Sequence, residues 1–204
     1  MNHFFNFDFS SVYYRKNPEA ILNAFAQSFK QDEKAKIILK TLNGDKHSAN
    51  FLKFQQKIEE LNLVEKVILI NKEMERNDLM NLMNAADCYI SLHRSEGLGL
   101  GMMEAMSMGK PVIATAFGGN VDFMNNDNSL LVNFKLTEVP EGCEPYQQGW
   151  LWAEPDIMMA AGYMRKLFDD RDFAKETGEK ARVYIESNYN PAVFYNAITN
   201  WIKD

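Results

Sequence analysis

Two glutamates, Glu96 and Glu104, flank the segment Gly97-Leu98-Gly99-Leu100-Gly101-Met102-Met103. A short apolar run, Cys88 to Leu92, precedes them. Ala105, Met106 and Met108 carry a helical pattern that stops at Gly109 and Pro111, where glycine caps and proline forbids continuation. The glycines therefore fall where a strand turns into a helix. Such a turn presents unpaired backbone N–H groups and about half a positive charge from the helix dipole, a combination that suits a phosphate. Glu104 lies about one turn into that helix, and helical side chains lean back toward the N-terminus, so both carboxylates can face one small site. Two carboxylates beside a phosphate repel it unless neutral donors occupy them. Vicinal sugar hydroxyls are such donors, so the pattern asks for a sugar on each side of a diphosphate, that is, a nucleotide sugar.

Each of these residues has a packing reading as well. Glu104 suits the first turn of any helix, where the dipole makes a carboxylate worth about 0.3–1 kcal/mol. The glycines suit tight helix–strand contact, and His93 and Arg94 read either as ligand contacts or as a strand-end structural histidine and a solvated arginine. Glu96, directly before a glycine, has no comparable structural reason.

The ordered string resembles the donor-binding signature of retaining glycosyltransferases of the group 1 (family 4) type. It runs Ser95-Glu96-Gly97-Leu98-Gly99-Leu100, Glu104-Ala105-Met106, Gly109-Lys110-Pro111-Val112-Ile113-Ala114-Thr115 and Gly118-Gly119-Asn120, with Leu98 where the family has an aromatic. The resemblance implies that Glu96 holds the donor hexose and Glu104 the ribose diol, with Gly97, Leu98, Gly99 and Leu100 at the phosphates and His93 and Arg94 beside them. Gly118, Gly119 and Asn120 form another glycine turn at a strand's carboxyl end, whose amides suit hexose hydroxyls, although a plain turn explains them too. The loop Asn71-Lys72-Glu73-Met74 would lay the base against backbone groups. A lysine just before the helix after the first strand contacts the diphosphate in that family, and Lys16, in Arg15-Lys16-Asn17-Pro18, matches it; a solvated Arg15-Lys16 pair is the bland alternative. The family's Gly-Arg pair after the first strand is replaced by Asp8-Phe9-Ser10-Ser11, so Arg15 or Arg94 would have to substitute.

The chemistry implied is retaining transfer, with Glu96 and Lys16 as the catalytic pair. Lys16 and the helix N-terminus would stabilise the leaving phosphate, with no metal or other cofactor required. The resemblance covers only the donor-binding, C-terminal lobe of the two-lobed GT-B architecture. An N-terminal acceptor-binding lobe would lie in the full-length protein or a separate subunit, and any peripheral membrane association would run through it. The alternatives are a non-catalytic nucleotide-sugar-binding subunit and a nucleotide-sugar epimerase on the same architecture.

The remaining composition narrows the field. With 204 residues and 46% apolar content the chain can build one sizeable core, so residues 1–204 are expected to form a single domain. A net charge of −6 gives no basic footprint, which argues against nucleic acid. Cys88 and Cys143 lack metal-ligand spacing and suit a reducing compartment. No apolar run is long enough to span a bilayer and the start, MNHFFNFDFSS, has no signal-peptide form, so the expected location is cytoplasmic.

The elements that must position these residues follow from periodicity. Apolar runs predict strands at His3 to Phe9, Lys36 to Thr41, Val67 to Ile70, Cys88 to Leu92, Pro111 to Ala114 and Ser129 to Val132. Helical patterns separate them, with Asn17 and Asn77-Asp78 as caps. Asn133 to Trp152 reads as a long aromatic-rich loop, a cover or interface. A helical tail then starts at Trp152-Ala153-Glu154-Pro155-Asp156 and continues through Phe173 to Ile185 and Pro191 to Ile202. Alternating strands and helices predict an α/β, Rossmann-like, doubly wound parallel sheet of about six strands with helices on both faces and a helical C-terminal tail. Ligands bind beyond the carboxyl ends of such strands, where the candidate residues fall.

Overall fold

Six runs rich in Ile, Leu, Val and Phe form one parallel sheet in the computed structural model, which describes residues 1–203. The strands are β1 (Asn2–Asp8), β2 (Lys36–Leu42), β3 (Val67–Asn71), β4 (Cys88–Ser91), β5 (Val112–Thr115) and β6 (Leu130–Val132), in the spatial order β3-β2-β1-β4-β5-β6. Helices α1 (Tyr13–Lys16) and α2 (Pro18–Ser28) join β1 to β2, and α3 (Ser48–Glu60) joins β2 to β3. Next come α4 (Arg76–Ala85) before β4 and α5 (Leu100–Ser107) before β5. After β6 follow β7 (Phe134–Glu138), β8 (Leu151–Pro155), α6 (Ile157–Asp169), α7 (Arg171–Asn188) and α8 (Pro191–Lys203). The chain thus winds outward from β1 in one direction and from β4 in the other. A crevice opens where winding reverses, at the carboxyl ends of β1 and β4.

β1 is buried on both faces because helices cover both. Phe4 and Tyr89 are register partners, so they share a face, and a side chain at Gly101 of α5 would collide with the Tyr89 hydroxyl. Phe7, on the opposite face by strand alternation, meets Phe54 of α3 edge-on with ring centroids 6.0 Å apart. Phe9 and Tyr13 stack above it, and Phe25, Phe29 and Phe168 join α2 to α6.

Four local expectations are corrected by tertiary context. The stretch from Asn133 to Trp152 is not all loop: β7 and β8 pair antiparallel, from Phe134 opposite Pro155 to Glu138 opposite Leu151. Val139, Cys143 and Trp152 bury a small core of their own against Tyr14 and Tyr146. Trp152 to Pro155 is therefore strand, and the tail helix begins after Asp156, whose carboxylate accepts from the Met159 N–H. Asn17 precedes α2 but does not cap it with its side chain. Its backbone is left-handed (φ 50°), and its amide donates to Leu92 O at 3.0 Å, tying the start of α2 to the end of β4. Asn77 and Asp78 lie inside the first turn of α4, behind Glu75.

His3 is the one fully buried group in the core whose ring nitrogens both lack partners among the described residues. It sits between Phe25 and Phe29, and burial pushes its pKa down to about 4 from the ordinary 6.5. A histidine held neutral by the fold takes up its proton more readily when unfolded, so it lowers stability as pH falls from 6.5 toward 4 and leaves it unaffected above that window. Urea midpoints measured across that range should fall for the wild type and fall less for His3→Phe.

Candidate functional site

The crevice between β1 and β4 is built from the two loops that leave those strands. After β1, Asp8 caps a single 3-10 turn, its carboxylate accepting from the Ser10 N–H at 2.8 Å. The one-turn helix α1 is then bracketed by two left-handed residues, Val12 (φ 64°) and Asn17 (φ 50°). A β-branched residue at positive φ is a true outlier, and such strain, of order 1–3 kcal/mol, persists only where the surroundings enforce it. Here it turns Arg15 and Lys16 back across the sheet. The Arg94 N–H donates to Arg15 O at 2.8 Å, and the Arg15 guanidinium donates to Ser95 O at 2.9 Å. Lys16 Nζ lies 2.6 Å from Glu96 Oε2, with Arg15 Nη1 3.6 Å from the same oxygen.

That ion pair is largely shielded from water. Desolvation raises the Glu96 pKa, but the Lys16 ammonium and the Arg15 guanidinium outweigh it and hold the carboxyl below the usual range. Desolvation also lowers Lys16, with Glu96 opposing it. Beyond Glu96 the chain reaches Gly99 in left-handed conformation (φ 89°), which starts α5 with no side-chain cap. The first amides of α5 are thus left for a ligand or solvent, as the sequence predicts. A cleft of about 440 Å³ opens in front of them, with Lys16, Glu96, Leu98 and Gly99 to Met102 on its walls and Asn6, Tyr89 and Lys40 at its floor.

The other sequence-predicted residues are distributed less uniformly. Glu104 sits on α5 facing Arg76 of α4, with an ion pair of 2.5 Å between them. Arg76 was not singled out from the sequence, because only the packing of α4 beside α5 brings the two together. It is two-thirds exposed, so the pair contributes little to stability. Gly97 faces open space, and Leu98 and Leu100 are exposed at the cleft mouth. Lys72 and Glu73 line a neighbouring depression of about 360 Å³ together with Asn43 and Asp45, whereas Met74 lines neither.

Three expectations are corrected. His93 is fully buried beneath the loop: its Nε2 donates to Phe117 O at 2.9 Å, its Nδ1 accepts from the Ser91 hydroxyl at 2.9 Å, and burial keeps it neutral. It supports the Phe117-Gly118 turn and touches no cleft surface. Arg94 points away from the cleft, donating to Glu154 of β8 at 2.5 and 3.1 Å and to Tyr14 O at 2.9 Å, with its guanidinium 5.3 Å from the Trp152 ring. Its charge is spent anchoring the hairpin. Asn120 is fully buried, donating to Thr115 O at 3.0 Å, and the Gly119 N–H is occupied by Glu96 O at 3.1 Å.

Gly118 and Gly119 serve the site by closeness instead. A Cβ at Gly118 (φ 102°) would lie 2.4 Å from Glu96 O, and one at Gly119 would lie 1.9 Å from Gly97 O. The second glycine turn is thus the bed on which the glutamate loop rests.

Comparison with known proteins identifies the family and the fold. The family model for "Glycosyl transferases group 1" matches residues 9–184. The alpha-monoglucosyldiacylglycerol synthase of Streptococcus pneumoniae is 33% identical over 106 residues, covering 52% of this chain and 22% of that protein. Anabaena HepE, solved in complex with UDP and glucose, shares the fold with a TM-score of 0.73 at 19% identity, over 99% of this chain and 47% of its own. The C-terminal domain of a group 1 glycosyl transferase from Francisella tularensis aligns with a TM-score of 0.70 at 17% identity, over 93% of this chain and 86% of that domain. The chain therefore spans about half the length of HepE and less of the synthase.

The loop contact makes two glycines diagnostic. Gly119→Ala should cost about 1–3 kcal/mol by forcing the loops apart, whereas Gly97→Ala, with nothing within 4 Å, should stay within about 0.5 kcal/mol of wild type in chemical denaturation.

Proposed function

The chain belongs to the group 1 glycosyl transferases, and on that premise we propose that it is the donor-binding half of a retaining hexosyltransferase acting on a nucleoside-diphosphate sugar. The observation that carries this reading is the Lys16–Glu96 pair beside the uncapped start of α5, at the reversal of the sheet. A diphosphate needs a cation and free amides together, and a hexose needs a carboxylate within reach of its hydroxyls.

In this reading the bond between the anomeric carbon and the diphosphate oxygen breaks, the acceptor oxygen forms its bond on the same face of the sugar, and the acceptor's hydroxyl proton passes to the departing phosphate. Negative charge grows on the departing phosphate. Lys16 and the first amides of α5 offset it as fixed charges and dipoles, without a metal ion. Glu96 holds the hexose. Glu104 holds the ribose diol once Arg76 has swung aside, a movement that costs little because Arg76 is mostly solvated. The loop from Lys72 to Met74 takes the base. UDP is the first nucleotide to try, since HepE was solved with UDP and glucose. The acceptor, a glycan or a lipid-linked group, would be brought by an N-terminal lobe, and the reaction would run on the cytoplasmic side.

Calorimetry with UDP-, GDP-, ADP- and TDP-glucose tests the donor site. Lys16→Ala and Glu104→Ala should each weaken the best binder by roughly tenfold to a hundredfold, since a charged hydrogen bond contributes about 1.5–3 kcal/mol. Arg76→Ala should leave affinity unchanged or raise it by freeing Glu104. If neither Lys16→Ala nor Glu104→Ala weakens any binder, the site assignment is wrong. Acceptor-dependent release of nucleotide by the full-length protein distinguishes a transferase from a silent binding subunit.

A further inference from the structure

One lysine in the cleft has no counterpart among the residues singled out from sequence. Lys40 lies on β2 opposite Asn6 of β1, so its side chain takes the sheet face that Asn6 and Asp8 also take. It is only 3% exposed yet lines the cleft floor. Its ammonium carries three donors and has one protein acceptor among the described residues, Thr41 O at 3.0 Å. No carboxylate pairs with it among the described residues. The nearby Asp8 carboxylate is taken up by the Asn43 amide, at 2.9 and 3.0 Å, and by the Ser10 N–H. Glu96 is matched by Lys16 and Arg15.

A nearly buried ammonium with one protein acceptor and no carboxylate partner among the described residues favours an anion that enters the cleft. Desolvation accordingly lowers its pKa, with Asp8 and Glu73 opposing at a distance. Both arginines considered as replacements for the missing one after β1 are committed elsewhere, Arg15 to Ser11 O and Ser95 O, Arg94 to Glu154 and Tyr14 O. Ser11, in that loop, lines the cleft without bringing any charge. Lys16, Arg15 and Glu96 together leave a single net positive charge, so a doubly charged diphosphate calls for a further cation.

We infer that Lys40 is the second diphosphate-binding cation, reaching from the floor of the cleft toward phosphate oxygens held from above by the α5 amides. The inference rests on the donor-binding reading and adds to it a residue from a different strand. The ammonium donors not bonded to Thr41 O fit non-bridging phosphate oxygens, and ligand binding supplies the counter-charge.

The test uses the 204-residue chain, with calorimetry of UDP, UMP, uridine and inorganic pyrophosphate, repeated with the GDP, ADP and TDP series. Lys40→Met and Lys40→Gln should each weaken nucleoside diphosphate and pyrophosphate at least tenfold while changing nucleoside affinity less than twofold. Lys40→Met should keep or raise the urea midpoint, since it removes a buried charge. Equal loss for nucleoside and diphosphate would place Lys40 at the base or in the scaffold, and no loss at all would make it a bystander; either overturns the inference. If Lys16→Ala weakens the diphosphate and the Lys40 variants do not, the inference alone fails. If the wild type binds no nucleotide, the donor-binding reading fails with it.

Discussion

The ion pair between Lys16 and Glu96 depends on a feature of the sheet, not of either loop. Only where the winding order reverses do the loops after β1 and β4 lie side by side with no crossover helix between them. The chain then adds local devices to close the remaining gap. Left-handed Val12 and Asn17 reverse the path around α1, and the Arg15 and Arg94 backbones share a hydrogen bond. Removing Glu96 would leave Lys16 and Arg15 facing each other without a counter-charge, so the cluster is held as a unit until a ligand competes for it.

The same economy of space governs the glycine turns. The pattern at Gly118-Gly119 resembles a second amide cradle, but its closeness to Glu96 and Gly97 gives it a different task. Its backbone supports the loop that carries Glu96, and its own Gly119 N–H is consumed in doing so. His93 and Asn120 complete that support, His93 bonded to Phe117 O in the turn and Asn120 to Thr115 O at the end of β5. Rigidity beneath the glutamate loop preorganises it without a cost at the moment of binding.

The hairpin of β7 and β8 extends the site's surroundings toward the chain's second small core. Arg94, Glu154, Trp152 and Tyr14 form a single bonded cluster that fastens the hairpin to α1. An arginine two residues before Glu96 thereby stiffens the element that carries Lys16.

Much of the architecture was legible without coordinates. Periodicity located the six strands to within a residue or two. The glycine, glutamate and proline spacing from Ser95 to Asn120 marked the strand-to-helix turn, because those features depend on neighbours a few residues away. What sequence alone could not determine were the directions of side chains whose partners come from distant segments. Arg94 met Glu154 across 60 positions, Glu104 met Arg76 from another helix, and Lys40 came to the cleft floor because β2 pairs with β1. The hairpin was missed because cross-strand pairing, unlike helical periodicity, requires knowing which distant segment lies opposite. Local spacing determined which backbone would be offered to a ligand; long-range packing decided which charges were left to meet it.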